Sequence, residues 1–311
     1  MIPFFTAAHV EAAVSPERAV EAVNQAFIAY ARGEWSMPPK VYVPAYPGGD
    51  FRAMPALGAG HALLKWVTSF PGNPERGLPT VTGLVLLSDA STGLLKAVLD
   101  AASVTALRTG AAAVLASETL GRRDAGEAAV IGAGVNGKAT ARTFLARGRG
   151  VLLWDSDRAR AEAVAHELGA SAVSREEAFG SDLLATVTPG REILLAEGAL
   201  RPGQHVSLMG ADGPGKAEIA SAELARVRVF CDDWGQASHN GELEHAVRAG
   251  VLHREQVGEL GAVLSGGAAG RESDDEITVF DSTGLAIQDL AIALAALEGI
   301  DELADVPFLE L

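Results

Sequence analysis

The sequence of 311 residues contains a single cysteine, Cys231. One thiol excludes an internal disulfide and is too few for a cysteine-based zinc site, so we expect a reducing, cytoplasmic location. No stretch approaches the roughly 20 apolar residues of a membrane-spanning helix, because Gln288 and Asp289 interrupt the nearest one, "LAIQDLAIALAALEG". The N-terminus lacks a basic region followed by an apolar run. We therefore expect no signal peptide and no membrane partner.

Basic residues are also few. The chain has 25 lysines and arginines against 40 aspartates and glutamates, which gives a net charge of −15. A nucleic-acid-binding surface needs clustered basic side chains, so we expect no nucleic-acid partner. Hydrophobic residues make up 48% of the chain, enough for a substantial core, and the length suits two domains of ordinary size.

The residue pattern changes along the chain. Residues 15–34 read as an amphipathic helix, and Ser15 is suited to cap its start. Residues 38–100 contain short β-like runs separated by proline, glycine and asparagine, which predicts an antiparallel or mixed sheet. An alanine-rich helix is predicted over 101–121. From residue 127 strands alternate with helices, which indicates a parallel sheet with helical crossovers.

The predicted fold class is α/β: a Rossmann-type doubly wound parallel sheet plus a mixed α+β domain. A long helix over 282–299 is expected to carry the chain back to the first part. We therefore expect a discontinuous substrate-binding and dimerisation domain, 1–115 with 285–311, and a nucleotide-binding domain over 116–284.

The stretch "AVIGAGVNGKATARTF" (129–144) has the form of a strand, a glycine-rich turn and a helix. The first glycine permits a tight turn, the second lets the backbone approach a pyrophosphate, and the third lets helix and strand pack closely. Free N–H groups at the helix start suit phosphates. The alternative is a glycine turn without a dinucleotide. The predicted cofactor-binding loop consists of Gly132, Ala133, Gly134, Val135, Asn136 and Gly137.

An acidic residue, Asp155, ends the next strand in "VLLWDSD". A carboxylate there bonds the ribose hydroxyls of NAD and repels a 2′-phosphate, so NAD is expected rather than NADP. Arg158 nearby either binds a phosphate of the cofactor or is an exposed residue of the following helical turn.

Two loops after strands carry polar side chains. Thr188, in "VTPG", is predicted to line the nicotinamide side, because ligands of open α/β sheets bind beyond the carboxyl ends of the strands. Asp212, in "LMGADGPGKAEI", suits a general acid or base. It equally suits an Asx-type turn, and the residues alone leave both interpretations open.

Three basic residues, Arg52, Lys65 and Arg108, each lie in an otherwise apolar stretch of the first part. Together they suggest an anionic substrate such as the carboxylate of an amino or keto acid. The alternative is that each extends its charge to solvent or forms a structural salt bridge. The histidines show no metal-ligand spacing, and no metal is expected.

Four stretches together resemble the ornithine cyclodeaminase/mu-crystallin family, in its order and over nearly the whole chain: "ALRTGAAAVLAS", "VIGAGVNGKA", "GADGPGKAEI" and "GRESDDEITVFDSTGLAIQDLA". The resemblance implies a homodimer. It further implies that the first domain, completed by the C-terminal helix, forms the dimer contact and the substrate pocket, and that a Rossmann domain holds NAD(P).

The resemblance also implies roles for single residues. Lys65 and Arg108 would bind the substrate carboxylate, and Asp212 would be the catalytic acid/base, with Lys65 beside it in the catalytic set. Met54 matches a substrate-pocket position, and Thr80 matches one on the cofactor side.

The family's shared step is hydride transfer at a C–N carbon. Arg52 stands where ornithine cyclodeaminases carry a glutamate that meets the substrate amine. We therefore expect an NAD(H)-dependent enzyme acting on a small amino or imino acid, of the ketimine reductase or amino-acid dehydrogenase type. The alternatives are a true ornithine cyclodeaminase, which converts L-ornithine to L-proline and ammonia, and a non-catalytic nucleotide-binding protein of the crystallin type.

Overall fold

The structure is a computed structural model that describes residues 1–213 and 215–310. The chain forms two compact units, Met1–Arg108 with Leu285–Leu311 and Thr109–Gly284. Within the described residues no helix is both long and apolar enough to cross a membrane.

The strands, numbered in chain order, are β1 (Ile2–Phe5), β2 (Val41–Ala45), β3 (Gly49–Gly58), β4 (His61–Ser69), β5 (Val81–Asp89), β6 (Leu95–Asp100), β7 (Ala128–Ile131), β8 (Val151–Trp154), β9 (Ser171–Ala172), β10 (Leu183–Thr186), β11 (His205–Leu208), β12 (Arg228–Cys231), β13 (Val257–Glu259), β14 (Thr278–Asp281) and β15 (Phe308–Leu309). The α-helices are α1 (Ala7–Ala13), α2 (Pro16–Ala31), α3 (Ala101–Leu120), α4 (Val135–Ala146), α5 (Arg158–Leu168), α6 (Arg175–Phe179), α7 (Ser221–Leu224), α8 (Trp234–Asn240), α9 (Leu243–Arg248), α10 (Leu260–Leu264) and α11 (Ala286–Glu298). Short 3₁₀ turns cover Asn73–Arg76, Arg254–Gln256 and Ile300–Glu302.

The first unit is built on a mixed sheet of order β15-β1-β6-β5-β4-β3-β2. β1 and β6 run parallel, and the other neighbouring strands run antiparallel. Helix α11 packs against α2 and against β3, β4 and β5. One face of these strands is therefore buried, and its side chains include Met54, Leu63, Lys65, Val85 and Leu87.

The other face of this sheet is exposed and apolar in the single chain. Trp66 lies opposite Leu84 on β5 and opposite Ala53 on β3. The ring of Phe51 stacks on Trp66 with 5.7 Å between ring centroids. The apolar sheet face, as we name it, contains Val41, Val43, Phe51, Ala53, Pro55, Leu57, Leu64, Trp66 and Leu84.

The second unit is built on a parallel sheet of order β13-β12-β14-β11-β10-β7-β8-β9. All residues of β7, β10, β11 and β14 are buried, as expected for central parallel strands covered on both faces. The predicted doubly wound parallel sheet and the predicted mixed sheet are both present.

The division of the chain differs from the expected boundary after residue 115, because the first unit ends at Arg108, inside α3. The residues that follow pack within the second unit. At Gly110 a Cβ would lie 2.7 Å from Oγ1 of Thr143 on α4. The first turns of helix α3 therefore belong to the first unit, and its remaining turns belong to the second unit.

Candidate active site

The glycine-rich loop joins β7 to α4. Gly132 has a φ of +107°, and its N–H donates to the carbonyl of Trp154 at 2.7 Å. A Cβ on Gly132 would lie 2.8 Å from the carbonyl oxygen of Val187, and one on Gly137 would lie 1.8 Å from that of Gly132. The chain's own packing therefore requires glycine at both positions.

Gly134 differs from these two glycines. Its φ is −74°, and apart from its own chain neighbours no heavy atom of the described residues lies within 4 Å of where its Cβ would be. It immediately precedes α4, whose start has no side-chain cap. The open space at this helix start, lined by Ala133, Val135 and Asn136, fits the phosphates of a dinucleotide.

Asp155 follows β8 and reaches this loop. Its carboxylate accepts from the N–H of Ala133 at 2.6 Å, from the N–H of Asp157 at 2.8 Å, and from the guanidinium of Arg160 at 2.7 and 3.2 Å. Burial acts to raise the pKa of Asp155, but the bonds from Arg160 and the two amides outweigh it and hold that pKa below its usual value. Asp155 is therefore ionised and ion-paired.

Arg160 was not predicted from the sequence. Arg158, the nearby candidate, is exposed and pairs with Glu162 one helical turn later. The Asp155–Arg160 pair spans a strand end and the first turn of α5, so neither strand alternation nor helical periodicity indicates it.

Thr188 follows β10 and is held by a buried carboxyl. Its hydroxyl donates to Glu218, as does the Thr186 hydroxyl at 2.6 Å. The N–H of Glu218 in turn donates to Glu242 at 2.8 Å. Burial raises the pKa of Glu218, and burial together with Glu218 raises the pKa of Glu242 to about 8. This pair of carboxyls fixes the backbone on both sides of the Asp212 loop.

We predict that Glu242→Gln reduces the pH dependence of stability. The folded state keeps the Glu242 proton up to about pH 8, whereas an unfolded chain releases it near pH 4.5. The wild-type protein therefore loses stability as pH rises through this window. Thermal unfolding between about pH 5 and 8 should show a smaller decline for Glu242→Gln than for wild type, and Glu167→Gln, at an exposed surface pair, serves as the control. Equal declines would contradict the prediction.

Asp212 lies on the loop after β11. Its side chain is 39% exposed, and Nζ of Lys216 lies 2.6 Å from its Oδ1. Pro214, within the same loop, lies outside the described residues. The structure thus gives Asp212 an accessible carboxylate with a lysine partner, and both the acid/base role and the turn role remain predictions.

The cation cluster, as we name the group around Lys65, lies in the first unit. Lys65 on β4 lies opposite Met54 on β3, and its Nζ donates to Thr105 at 2.6 Å and to Asp289 at 2.8 Å. Nε of Arg108 lies 3.7 Å from the same Asp289 oxygen. Burial lowers the pKa of Lys65, Asp289 acts to raise it, and Arg108 acts to lower it further.

Arg52 on β3 belongs to the same cluster, because its charge also lowers the pKa of Lys65. Its guanidinium bonds the Asp50 carboxylate at 2.6 and 3.3 Å and lies 5.4 Å from the ring centroid of Tyr42. The structure contains this Arg52–Asp50 salt bridge, and the substrate-binding role of Arg52 stays a prediction. Its charge is therefore compensated by Asp50.

Thr80 lies directly before β5, and its carbonyl accepts from the N–H of Phe70 at 2.8 Å. Its cofactor role stays a prediction. Asp289 was not predicted as a site residue, although the sequence shows it as a charge within an apolar helix. No group of three or more His, Cys, Asp or Glu side chains in the described part of the chain is arranged to hold a metal ion.

The glycine loop on a parallel sheet defines a Rossmann-type dinucleotide-binding fold. The chain belongs to the ornithine cyclodeaminase/mu-crystallin family, because residues 3–302 match that family. The family membership predicted from the four sequence motifs is thereby confirmed.

Relatives support the same assignment. An alanine dehydrogenase from Archaeoglobus fulgidus is 42% identical over 303 residues, which cover 94% of this chain and 93% of that protein. A solved archaeal alanine dehydrogenase dimer with bound NAD has a TM-score of 0.89 at 41% identity, covering 97% of this chain and 96% of the other. Thermococcus litoralis Δ1-pyrroline-2-carboxylate reductase, solved with NADH and L-proline, has a TM-score of 0.90 at 28% identity, covering 97% and 98%. The predicted fold class is confirmed.

Proposed function

We propose that the protein is a cytoplasmic, NAD(H)-dependent oxidoreductase that acts at the C–N carbon of a small amino or imino acid. The buried cation cluster carries this proposal, because Lys65 and Arg108 form an anion site within the apolar core of the first unit. The open space beside Gly134 at the start of α4 and the similarity to an alanine dehydrogenase support it.

Different residues of this chain bind the substrate and transfer its proton. The nicotinamide, when bound, supplies or accepts a hydride at the substrate carbon. Arg108 and Lys65 bind and orient the substrate carboxylate through charge-assisted hydrogen bonds. Asp212 gives a proton to the substrate nitrogen in the reductive direction and removes one in the oxidative direction.

The test is a nicotinamide absorbance assay with the purified full chain. NADH should be consumed with pyruvate or glyoxylate when ammonia is present, or with a preformed cyclic imine carboxylate. Pyruvate without ammonia is the control for ketone reduction. Tight NADH binding with no turnover on any of these substrates would instead favour the non-catalytic nucleotide-binding alternative.

We predict that NAD(H) binds more tightly than NADP(H) and that Asp155→Ser reduces this preference at least about tenfold. The Asp155 charge repels a 2′-phosphate, and its bonds restrain Arg160. The serine variant removes that charge and frees the guanidinium for the phosphate. Dissociation constants of both cofactors measure the preference. Arg158→Ser is the matched control, and an unchanged ratio in Asp155→Ser would refute the role.

We further propose a homodimer in which a second copy covers the apolar sheet face. An exposed apolar surface of this extent is typical of an interface, and the similar archaeal alanine dehydrogenase is a dimer.

Sedimentation should therefore give twice the chain mass of 32.1 kDa for the wild type. The double variant Trp66→Lys/Leu84→Lys should sediment as a monomer, because it buries two charges if the copies still associate. Leu94→Lys, at an exposed leucine in the β5–β6 turn, should remain dimeric. A monomeric wild type, or a dimeric double variant, would contradict this interface.

A further inference from the structure

Asp289 lies in the first turn of α11, a helix that is otherwise almost entirely apolar and buried. Its side chain is 0% exposed. Oδ1 accepts from Lys65 at 2.8 Å, whereas Oδ2 has no hydrogen-bond partner among the described residues. A buried carboxylate with one unpaired oxygen costs stability, and an apolar residue of similar size would fill the same space without that cost. Its presence therefore calls for a role other than packing.

The charges around Asp289 come from three other elements packed in the first unit. They are Lys65 on β4, Arg108 on α3, and Arg52 with its partner Asp50 on β3. Helix α2 also packs on α11, and its Arg18 pairs with Glu298 at the exposed end of the two helices. Three cations and two carboxylates leave the cluster one positive charge in excess, which suits one substrate carboxylate.

To stay protonated, Lys65 depends on Asp289 more than on any other group. Burial, Arg108 and Arg52 all favour the neutral amine, and Asp289 opposes them through both its charge and its hydrogen bond. An ammonium has three N–H donors, of which Thr105 and Asp289 take two. Within the described residues, one N–H donor of Lys65 is thus left for a ligand.

We infer that Asp289 is a positioning residue that holds the Lys65 ammonium beside Arg108 and supplies the counter-charge which keeps it protonated for binding a substrate carboxylate. The inference rests on the proposed function of the cation cluster. In this proposal Asp289 does not contact the substrate and acts only through Lys65.

The first test measures Lys65 directly and needs no substrate. The chain has only five lysines, so ¹³Cε-lysine NMR resolves them, and Lys65→Met assigns the Lys65 signal. In Asp289→Asn the Lys65 titration should move to lower pH by at least about one unit. Thr105→Val is the matched control, because it removes the other hydrogen-bond partner of Lys65 without removing a charge. The Lys65 titration should shift much less in this variant. An unshifted titration in Asp289→Asn would overturn the inference.

The second test measures binding of oxamate, a carboxylate that the enzyme cannot reduce by imine chemistry, by calorimetry in the presence of NADH. At pH values where Lys65 keeps its proton in both proteins, Asp289→Asn should bind oxamate as tightly as wild type or more tightly, because the cluster then carries an extra positive charge. As the pH rises, the affinity of Asp289→Asn should fall at lower pH than that of wild type, by at least about tenfold where only the wild type keeps the Lys65 proton. Affinity reduced equally at all pH values would indicate a merely structural role and would overturn the inference.

A wild-type protein that fails to bind oxamate, with the Lys65 titration still dependent on Asp289, would count against the proposed function and not against the counter-charge role. Should the asparagine variant not fold, Asp289→Glu keeps the charge and displaces it by one methylene. It should keep the Lys65 titration of the wild type while weakening oxamate binding, and a Lys65 titration shifted to lower pH in this charge-preserving variant would overturn the counter-charge role. Unchanged oxamate affinity in Asp289→Glu would remove the positioning role.

Discussion

Asp212→Asn is expected to lower kcat by about 10²- to 10⁴-fold while leaving the fold and NADH affinity unchanged. The amide has the size of the carboxylate and still accepts a hydrogen bond from Lys216, whose Nζ lies 2.6 Å away. It cannot carry the proton that the substrate nitrogen must gain or lose. Steady-state assay with saturating NADH, together with cofactor titration by fluorescence, measures both quantities.

Asp182→Asn is the matched control. Asp182 is also an ion-paired aspartate of the second unit, with Arg201 at 2.9 Å, but it precedes β10 rather than following a strand. Ligands of such sheets bind at the carboxyl ends of the strands, so this variant should keep near wild-type kcat. An Asp212→Asn enzyme with near wild-type kcat would leave Asp212 with the turn role alone.

Local patterns predicted the nucleotide-binding part well. The three glycines and Asp155 lie within a short segment, where strand, turn and helix follow one another in sequence, as predicted; their roles in cofactor binding stay predictions. Arg160 was missed because its partner lies across a change of secondary structure. The strand β1 was missed for a different reason: its partners β6 and β15 are far away in the chain, and four residues carry little periodicity.

The cation cluster was only half predicted. Arg52, Lys65 and Arg108 were recognisable as charges in apolar stretches. The Lys65–Asp289 pair joins residues 224 positions apart, so no rule of spacing connects them. Its existence follows from α11 packing on β4, which is a property of the folded first unit.

L-Ornithine is expected to be a poor substrate because of the cluster's charge. Its distal ammonium needs a carboxylate partner, and both carboxylates of the described cluster already hold a cation: Asp50 bonds Arg52, and Asp289 bonds Lys65. One uncompensated cation about 4 Å away, at an effective dielectric near 20, would cost about 4 kcal/mol, or nearly a thousandfold. Because Asp50 offsets part of the Arg52 charge, we expect a penalty between about tenfold and that upper figure.

L-Norvaline separates charge from size, because it has the carbon chain of ornithine without the second amine. We expect kcat/KM for NAD-dependent oxidation to be at least about tenfold lower for ornithine than for norvaline, and we expect Arg52→Gln to narrow this ratio by freeing Asp50 for the ammonium. The products distinguish net oxidation of ornithine from its cyclodeamination. Efficient formation of proline from ornithine, with ammonia released and no net change in NADH, would identify a true ornithine cyclodeaminase and show that the Arg52–Asp50 pair opens when the substrate binds.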